Sequence, residues 1–216
     1  MRVIVGRVKG INIITPDPKI PNFYMFKNHF NKNSTIVDVG CGFDADFSIY
    51  MIGKHGVKAI GIDPTLKHQE SLHRLSQKTD GKFSHKLWAI SAKDGKITFN
   101  ESEKNVSGSI LKEHKNVKEG DVKSYEVESV SLSTLPERLG LTKIEYLKLD
   151  IEGAEYDLIE QFKKEDLAKY DQIFVEFHHH AIPQYFKKDT CQRAARMESF
   201  GFKSFTIDNH NYLFYK

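Results

Sequence analysis

The feature that most limits the folds open to this chain is an alternation. Short β-branched runs, each stopped by glycine or proline, exchange with amphipathic stretches of about ten residues. "STIVDVG" ends at Gly40 and "VKAIGIDP" is halted at Pro64. Between them "ADFSIYMIGKHG" reads as a helix closed by Gly56, and "LKHQESLHRLSQK" follows with Leu66, Leu72 and Leu75 as its apolar set. A third strand is expected in "FSHKLWAIS", with "GKITFNE" continuing as a partly exposed one. Strand, helix, strand, helix, strand predicts an α/β protein with a parallel sheet and helices on both faces.

Beyond Glu101 the text turns polar and loses its period. "ESEKNVSGSILKEHKNVKEGD" reads as a surface excursion of the kind used as a lid or left disordered. "KSYEVESVSL" then predicts a strand, "LSTLPERLG" a short helix, "IEYLKLD" a buried strand, "AEYDLIEQF" a helix and "DQIFVEF" a strand. A helix is expected between Asp189 and Gly201, and the last residues place two β-rich runs around "DNHN", an antiparallel hairpin. At the other end the opening residues suggest one or two short strands, and "PNFYMFKNHF" spaces Phe23, Phe26 and Phe30 as a helix would. The expectation is one domain over residues 1–216, with 1–33 an N-terminal strand and helix segment and 34–216 the core.

Composition agrees with one globular core, since 39% of the 216 residues are hydrophobic and 28% charged. The net charge of +3 comes from 32 basic and 29 acidic residues mixed along the chain, without the basic stripe that a nucleic-acid backbone demands. Cys41 and Cys191 show no disulfide or zinc spacing and read as reduced thiols. Glycines and basic residues interrupt "MRVIVGRVKGINII", so neither a signal peptide nor a membrane span is expected, and the expected location is cytoplasmic.

The chemistry concentrates at strand ends. Gly40, Gly42 and Ala45 follow a strand and precede a helix in the spacing that lets backbone approach a nucleotide. Asp63, ending the next strand roughly twenty residues on, is placed to accept both hydroxyls of a ribose. An adenosine-containing ligand is therefore expected. A dinucleotide carries a pyrophosphate, poorly served by carboxylates, whereas S-adenosylmethionine has no phosphate and carries an ammonium and a sulfonium. Asp38 and Asp150 flank the crevice at two strand ends and favour the cationic cofactor. In "LKLDIEGAEYDLI", Asp150 and Glu152 are expected to project into that crevice, while Glu155 and Asp157 fall in a helix's first turn, where the dipole favours acids.

The motifs "VDVGCG", "GIDP", "VSGSI", "SVSLSTL", "YLKLDIEGAEYDLI" and "FVEFHH", in that order, resemble the FkbM family of S-adenosylmethionine-dependent methyltransferases. The resemblance implies a class I methyltransferase, Rossmann-like fold of seven strands with the last antiparallel. It implies that Asp38, Gly40 and Gly42 border the methionine part of the cofactor, that Asp63 holds the ribose, and that Ala89 or its neighbours lie near adenine. It also implies O-methylation of a hydroxyl on a sugar-containing or small-molecule acceptor. Such a transfer uses a base, and Glu152, Glu176 and His178, near the ends of adjacent strands, are the candidates. Ser107 and Ser109 of "VSGSI" either close over cofactor or acceptor or belong to a flexible loop. Lys148, between apolar neighbours, either pairs with a carboxylate or reaches out to solvent. His178, His179 and His180 invite a metal reading with Asp150 or Glu176. Consecutive residues on an extended chain point to opposite sides, so no metal is expected. Two other functions fit less of the pattern: a short NAD(P)-binding oxidoreductase, and a nucleotide-binding module without chemistry.

Overall fold

The computed structural model describes residues 11–14, 23–26, 29–118 and 121–216. Five strands run parallel at its centre: β3 (Thr35–Val39), β4 (Lys58–Ile62), β5 (Phe83–Lys86), β10 (Ile144–Leu149) and β11 (Tyr170–Glu176). β13 (Asn211–Tyr215) joins antiparallel to β11, and β12 (Lys203–Phe205) pairs antiparallel with β13 at the edge. The order is β12-β13-β11-β10-β3-β4-β5. The terminal hairpin is thus part of the sheet, with its second strand inside.

Side-chain alternation explains why this sheet is covered twice. Val37, Val39, Leu147, Leu149, Ile173 and Val175 face a core shared with α5 (Glu155–Gln161) and α6 (Lys187–Ser199). Their neighbours Ile36, Tyr146 and Phe174 face the other way, onto α1 (Asp46–His55) and α2 (Gln69–Lys78). Each strand therefore presents apolar residues on both sides, as a parallel sheet requires. Helix α1 ends at Gly56, whose φ of 70° and N–H bond to Ile52 O form a left-handed cap. Helix α6 begins at Lys187, two residues before the expected Asp189, because the Asp189 carboxylate reaches back and accepts the Phe186 N–H at 2.8 Å, which closes the first turn.

Four expectations fail for tertiary reasons. Phe23–Phe26 is a strand, β2, paired with β1 (Ile11–Ile14), and not a helix. Phe23, Tyr24 and Met25 are all buried, so the segment packs on both faces and its aromatics favour extended backbone. The rest of the opening segment lies outside the described residues. "FSHKLWAIS" is broken at Leu87: β5 closes the central sheet, while β6 (Trp88–Ser91) opens another. That sheet is completed by β9 (Val122–Ser131), which pairs with β6, and by β7 (Gly95–Ser102) and β8 (Gly108–Ser109), in the order β6-β9-β7-β8. The polar stretch after Glu101 is accordingly no loose excursion. It contributes the end of β7, β8 and a single turn, α3 (Lys115–Lys118). Leu66, expected in the apolar set of α2, is 44% exposed in the 3-10 turn that precedes it.

Candidate functional site

The carboxyl ends of β3, β4 and β10 open onto a cavity of about 420 Å³, closed opposite by Trp88, Ala89, Phe99 and Val106–Gly108 of the second sheet and its loop. This is the crevice where open α/β sheets hold ligands. Gly40 and Gly42 form one wall at φ 73° and 69°. A Cβ on Gly40 would stand 1.7 Å from the carbonyl oxygen of Asp150, so the exits of β3 and β10 meet backbone to backbone. Only glycine fits there.

Asp63 lies at the end of β4 beside this turn. Its Oδ2 accepts the Gly42 N–H at 2.9 Å, its Oδ1 accepts the Thr65 N–H at 2.9 Å, and His68 Nδ1 stands 3.4 Å away. Burial works to raise its pKa, but His68 and the Thr65 donors outweigh burial and hold it below the usual carboxylate range. Each oxygen keeps a further lone pair for a hydroxyl.

Of the expected site residues, Gly40, Gly42, Asp63, Ala89, Ser107, Asp150 and Glu152 all line the cavity. Asp38 does not. It is fully buried beneath the β3 exit, where Oδ2 accepts the Ser48 hydroxyl at 2.8 Å and Oδ1 stands 3.5 Å from Lys148 Nζ. Lys148, left open between two fates, pairs inward. Its ammonium donates to Asp150 Oδ2 at 3.0 Å and to Gly40 O at 3.3 Å. Burial disfavours its charge, but Asp150 and Asp38 beside it win and raise its pKa. Burial also pushes the Asp150 carboxyl up to about 7, against the pull of Lys148. One lysine thus offsets part of the acid that the sequence sets at these strand ends.

Glu152 is the most constrained acid. Its φ of 52° puts a non-glycine residue in the left-handed region, a cost of about 1 kcal/mol or more that clusters at functional sites. The strain is held by the neighbours. Ser109 Oγ donates to the Glu152 carbonyl at 2.8 Å, and His114 Nε2 lies 2.8 Å from the Glu152 carboxylate. Burial works upward on that carboxyl, yet His114, His178 and Ser107 outweigh it and hold the pKa down at about 2. Ser109, expected with Ser107 as a lid residue, is fully buried and braces the loop instead.

Glu176 and His178 sit one layer behind the cavity wall. His178 is oriented by Glu155, whose Oε1 accepts both the His178 backbone N–H at 2.8 Å and the Nδ1–H at 2.9 Å, while Oε2 accepts the Gly153 N–H at 2.9 Å. Glu155 is fully buried, so the acid expected as a helix-dipole partner is in fact the tie between the β10 and β11 exits. Burial opposes the charge on His178, but Glu155, with Glu152 and Asp150 behind it, raises its pKa to about 10. Asp157 stays outside and accepts the Tyr185 hydroxyl at 2.9 Å. Sequence reasoning missed His114 and His210. His114 lies in the stretch without periodicity, and His210, 3.3 Å from Glu176 Oε1, comes from the far hairpin. No local pattern marks either one.

Sheet order, the antiparallel β13 and the glycine turn at the β3 exit define the class I methyltransferase fold. Within that class the chain belongs to the FkbM methyltransferase family, for the profile of the Methyltransferase FkbM domain matches residues 9–204. Among solved structures it is similar to a methyltransferase FkbM from Methylobacillus flagellatus KT, with 12% identity and TM-score 0.50 over 87% of this chain and 44% of that one. A fibrillarin pre-rRNA processing protein from Methanococcus jannaschii has 10% identity and TM-score 0.50 over 86% of this chain and 67% of that one. TrmK from M. capricolum, in complex with S-adenosyl-homocysteine, has 14% identity and TM-score 0.44 over 86% of this chain. The chain spans 62% of the length of TrmK and 44% of the Methylobacillus protein. No curated protein matches it. Among the described residues no helix is long and apolar enough to cross a membrane.

The wall residues fit S-adenosylmethionine. A close-packed glycine turn, the Asp63 carboxylate beside it, apolar Ala89, Ile90 and Phe99, and the acids Asp150 and Glu152 surround one hollow, a mixture of apolar and acidic groups that suits a cationic nucleoside. A pyrophosphate fits less well, because Asp44 and Asp46 line the same wall and Asp46 Oδ1 already accepts the Phe47 N–H in the first turn of α1.

Proposed function

We propose that this chain transfers the methyl group of S-adenosylmethionine to a hydroxyl of a sugar-containing or small-molecule acceptor, with Glu152 taking the hydroxyl proton. The observation that carries this reading is the position of Glu152. Of the three candidate bases it alone lines the cavity, and its strained backbone and the His114 contact at 2.8 Å aim it there. Gly40 and Gly42 hold the methionine end, with Asp150 between it and the acceptor, Asp63 the ribose and the region of Ala89 the adenine. Ser107 lies beside the acceptor space, and Val106, 60% exposed, and Phe43, 46% exposed, give its mouth an apolar rim.

In the transfer, the acceptor oxygen attacks the methyl carbon in line with the departing sulfur. The C–O bond forms, the C–S bond breaks and the sulfur leaves as a neutral thioether. The hydroxyl proton becomes strongly acidic as the C–O bond forms, so a carboxylate held at about 2 accepts it late in the reaction. Glu176, His178 and Glu155 lie behind the cavity wall, outside its lining, and take no proton in this step. Acids at the wall and the absence of a basic stripe in the sequence favour an uncharged acceptor over a polyphosphate or nucleic acid.

The test pairs calorimetry with turnover. Wild type is expected to bind S-adenosylhomocysteine saturably and to methylate members of a panel of glycosides and phenolic alcohols. Glu152→Gln is expected to keep that binding while transfer falls by about 100-fold or more, the contribution of a positioned base. Transfer unchanged in Glu152→Gln removes its assigned role, and absence of cofactor binding by wild type removes the methyltransferase reading.

A further inference from the structure

We infer that Asp150, Glu176 and His178 form a divalent-cation site at the inner edge of the cavity, where the ion holds the acceptor through a pair of neighbouring hydroxyls. The inference rests on the methyl-transfer reading for its purpose, though not for its geometry. One donor atom from each of the three residues lies within 4.8 Å of the others. Asp150 leaves β10 and lines the cavity, whereas Glu176 ends β11 and His178 follows two residues later on the same side of the chain. The expectation of no metal turned on three consecutive histidines being unable to share an ion. His179 and His180 take no part here: His179 alternates to the other side, His180 lies in the turn that follows, and the spacing of two brings Glu176 and His178 together.

The surrounding contacts are those of a ligand sphere. Glu155 Oε1 takes the Nδ1–H of His178 at 2.9 Å, which fixes the ring and aims Nε2 inward. Nε2 stands 3.5 Å from Asp150 Oδ1 and 3.6 Å from Glu152 Oε2, too long for a good hydrogen bond. Lys148 holds Asp150 by its other oxygen, Oδ2, at 3.0 Å, and His210 Nε2 stands 3.3 Å from Glu176 Oε1. Each of the three residues is thus gripped by a group outside the trio, which is how second-layer contacts orient metal ligands. Opposite ligands stand about 4.2 Å apart around magnesium and about 4.8 Å around calcium, so donor atoms within 4.8 Å of one another are spaced as the ligands of one such ion are.

Two carboxylates and one imidazole suit a hard or borderline ion, with manganese the best match. Three protein ligands leave positions free on the cavity side, and a vicinal diol of the acceptor would fill two of them. Coordination lowers the pKa of a bound hydroxyl, which makes its oxygen a better nucleophile and eases proton loss to Glu152.

The test is a titration of metal-free wild type with manganese, read by the loss of the free-ion paramagnetic resonance signal. One ion per chain is expected to bind saturably, with affinity at least 10-fold lower in His178→Gln and Glu176→Gln, and 10- to 100-fold lower in Glu155→Gln, where the ligand loses its orienting partner. His180→Gln is expected to bind like wild type. No saturable binding by wild type up to millimolar manganese overturns the inference, as does wild-type affinity in both ligand variants. Should one ligand variant not fold, the other decides together with the wild-type titration. S-adenosylhomocysteine calorimetry in the presence of EDTA separates the two readings, since cofactor binding without manganese binding sinks only the cation site.

Discussion

Gly40 makes the sharpest statement available from a single residue. The left-handed backbone alone would cost a substituted alanine about 1–2 kcal/mol, and at φ 69° Gly42→Ala is expected to lose little more, because its nearest neighbour, Asp44 Oδ1, is 3.9 Å from the added carbon. At Gly40 the added carbon meets the Asp150 carbonyl at 1.7 Å, backbone against backbone, so one of two central strands must move. Gly40→Ala is therefore expected to lose clearly more stability than Gly42→Ala in chemical denaturation, and S-adenosylhomocysteine binding with it. Equal losses would show that the two strand exits yield easily. The same reasoning marks Glu152, whose strained φ is legible only in the folded chain, while its place after a strand is written in "LKLDIEG".

Carboxylates that gather backbone N–H groups tie elements together here, Glu155 between two strand exits and Asp208 within a turn. Asp208 sets the turn between β12 and β13: Oδ1 accepts the N–H groups of His210 at 2.9 Å and Asn211 at 2.8 Å, and Oδ2 accepts the Asn211 side-chain amide at 2.9 Å. Burial pushes its pKa up, but these donors outweigh burial and hold it below the ordinary aspartate value. A depressed pKa contributes stability above the unfolded value of about 3.9, and that contribution is lost as the pH falls through the lower folded value. Asp208→Ala is expected to cost about 1–2 kcal/mol at pH 7. The gap from wild type should narrow below about pH 4, and denaturation curves at pH 7 and pH 3 check it. A gap that stays constant would mean that the carboxylate charge contributes nothing to the turn. The "DNHN" turn was legible in sequence; that its second strand would insert between β11 and β12 was not, because strand order depends on long-range pairing.

On the scale of the whole molecule, the cavity exists only where two sheets meet. β3, β4 and β10 supply the charged wall, and β6, β7 and the segment around Ser107 supply the apolar one. A ligand that bridges them stabilises the fold by mass action. S-adenosylhomocysteine at 100 times its Kd contributes about 2.7 kcal/mol, which for a chain of this size raises Tm by roughly 5–10 °C. NADH at the same concentration is expected to leave Tm unchanged, and an equal rise with NADH would reopen the oxidoreductase reading.

Amino-acid order alone dictated the succession of strands and helices from Ser34 to Lys78 and from Ile144 onward, the glycine turn with Asp63 beyond it, and the arrival of Asp150 and Glu152 at a strand end. These depend on periodicities and spacings of a few residues, which local sterics enforce. Folding settled the contacts that turn those residues into a site. Lys148 bonds Gly40 from 108 positions away, Glu155 takes hold of His178 across 23, and His114 reaches Glu152 from a stretch without any period. Partners so far apart are set by how sheets and loops pack in space, and packing leaves no trace in a window of neighbouring residues.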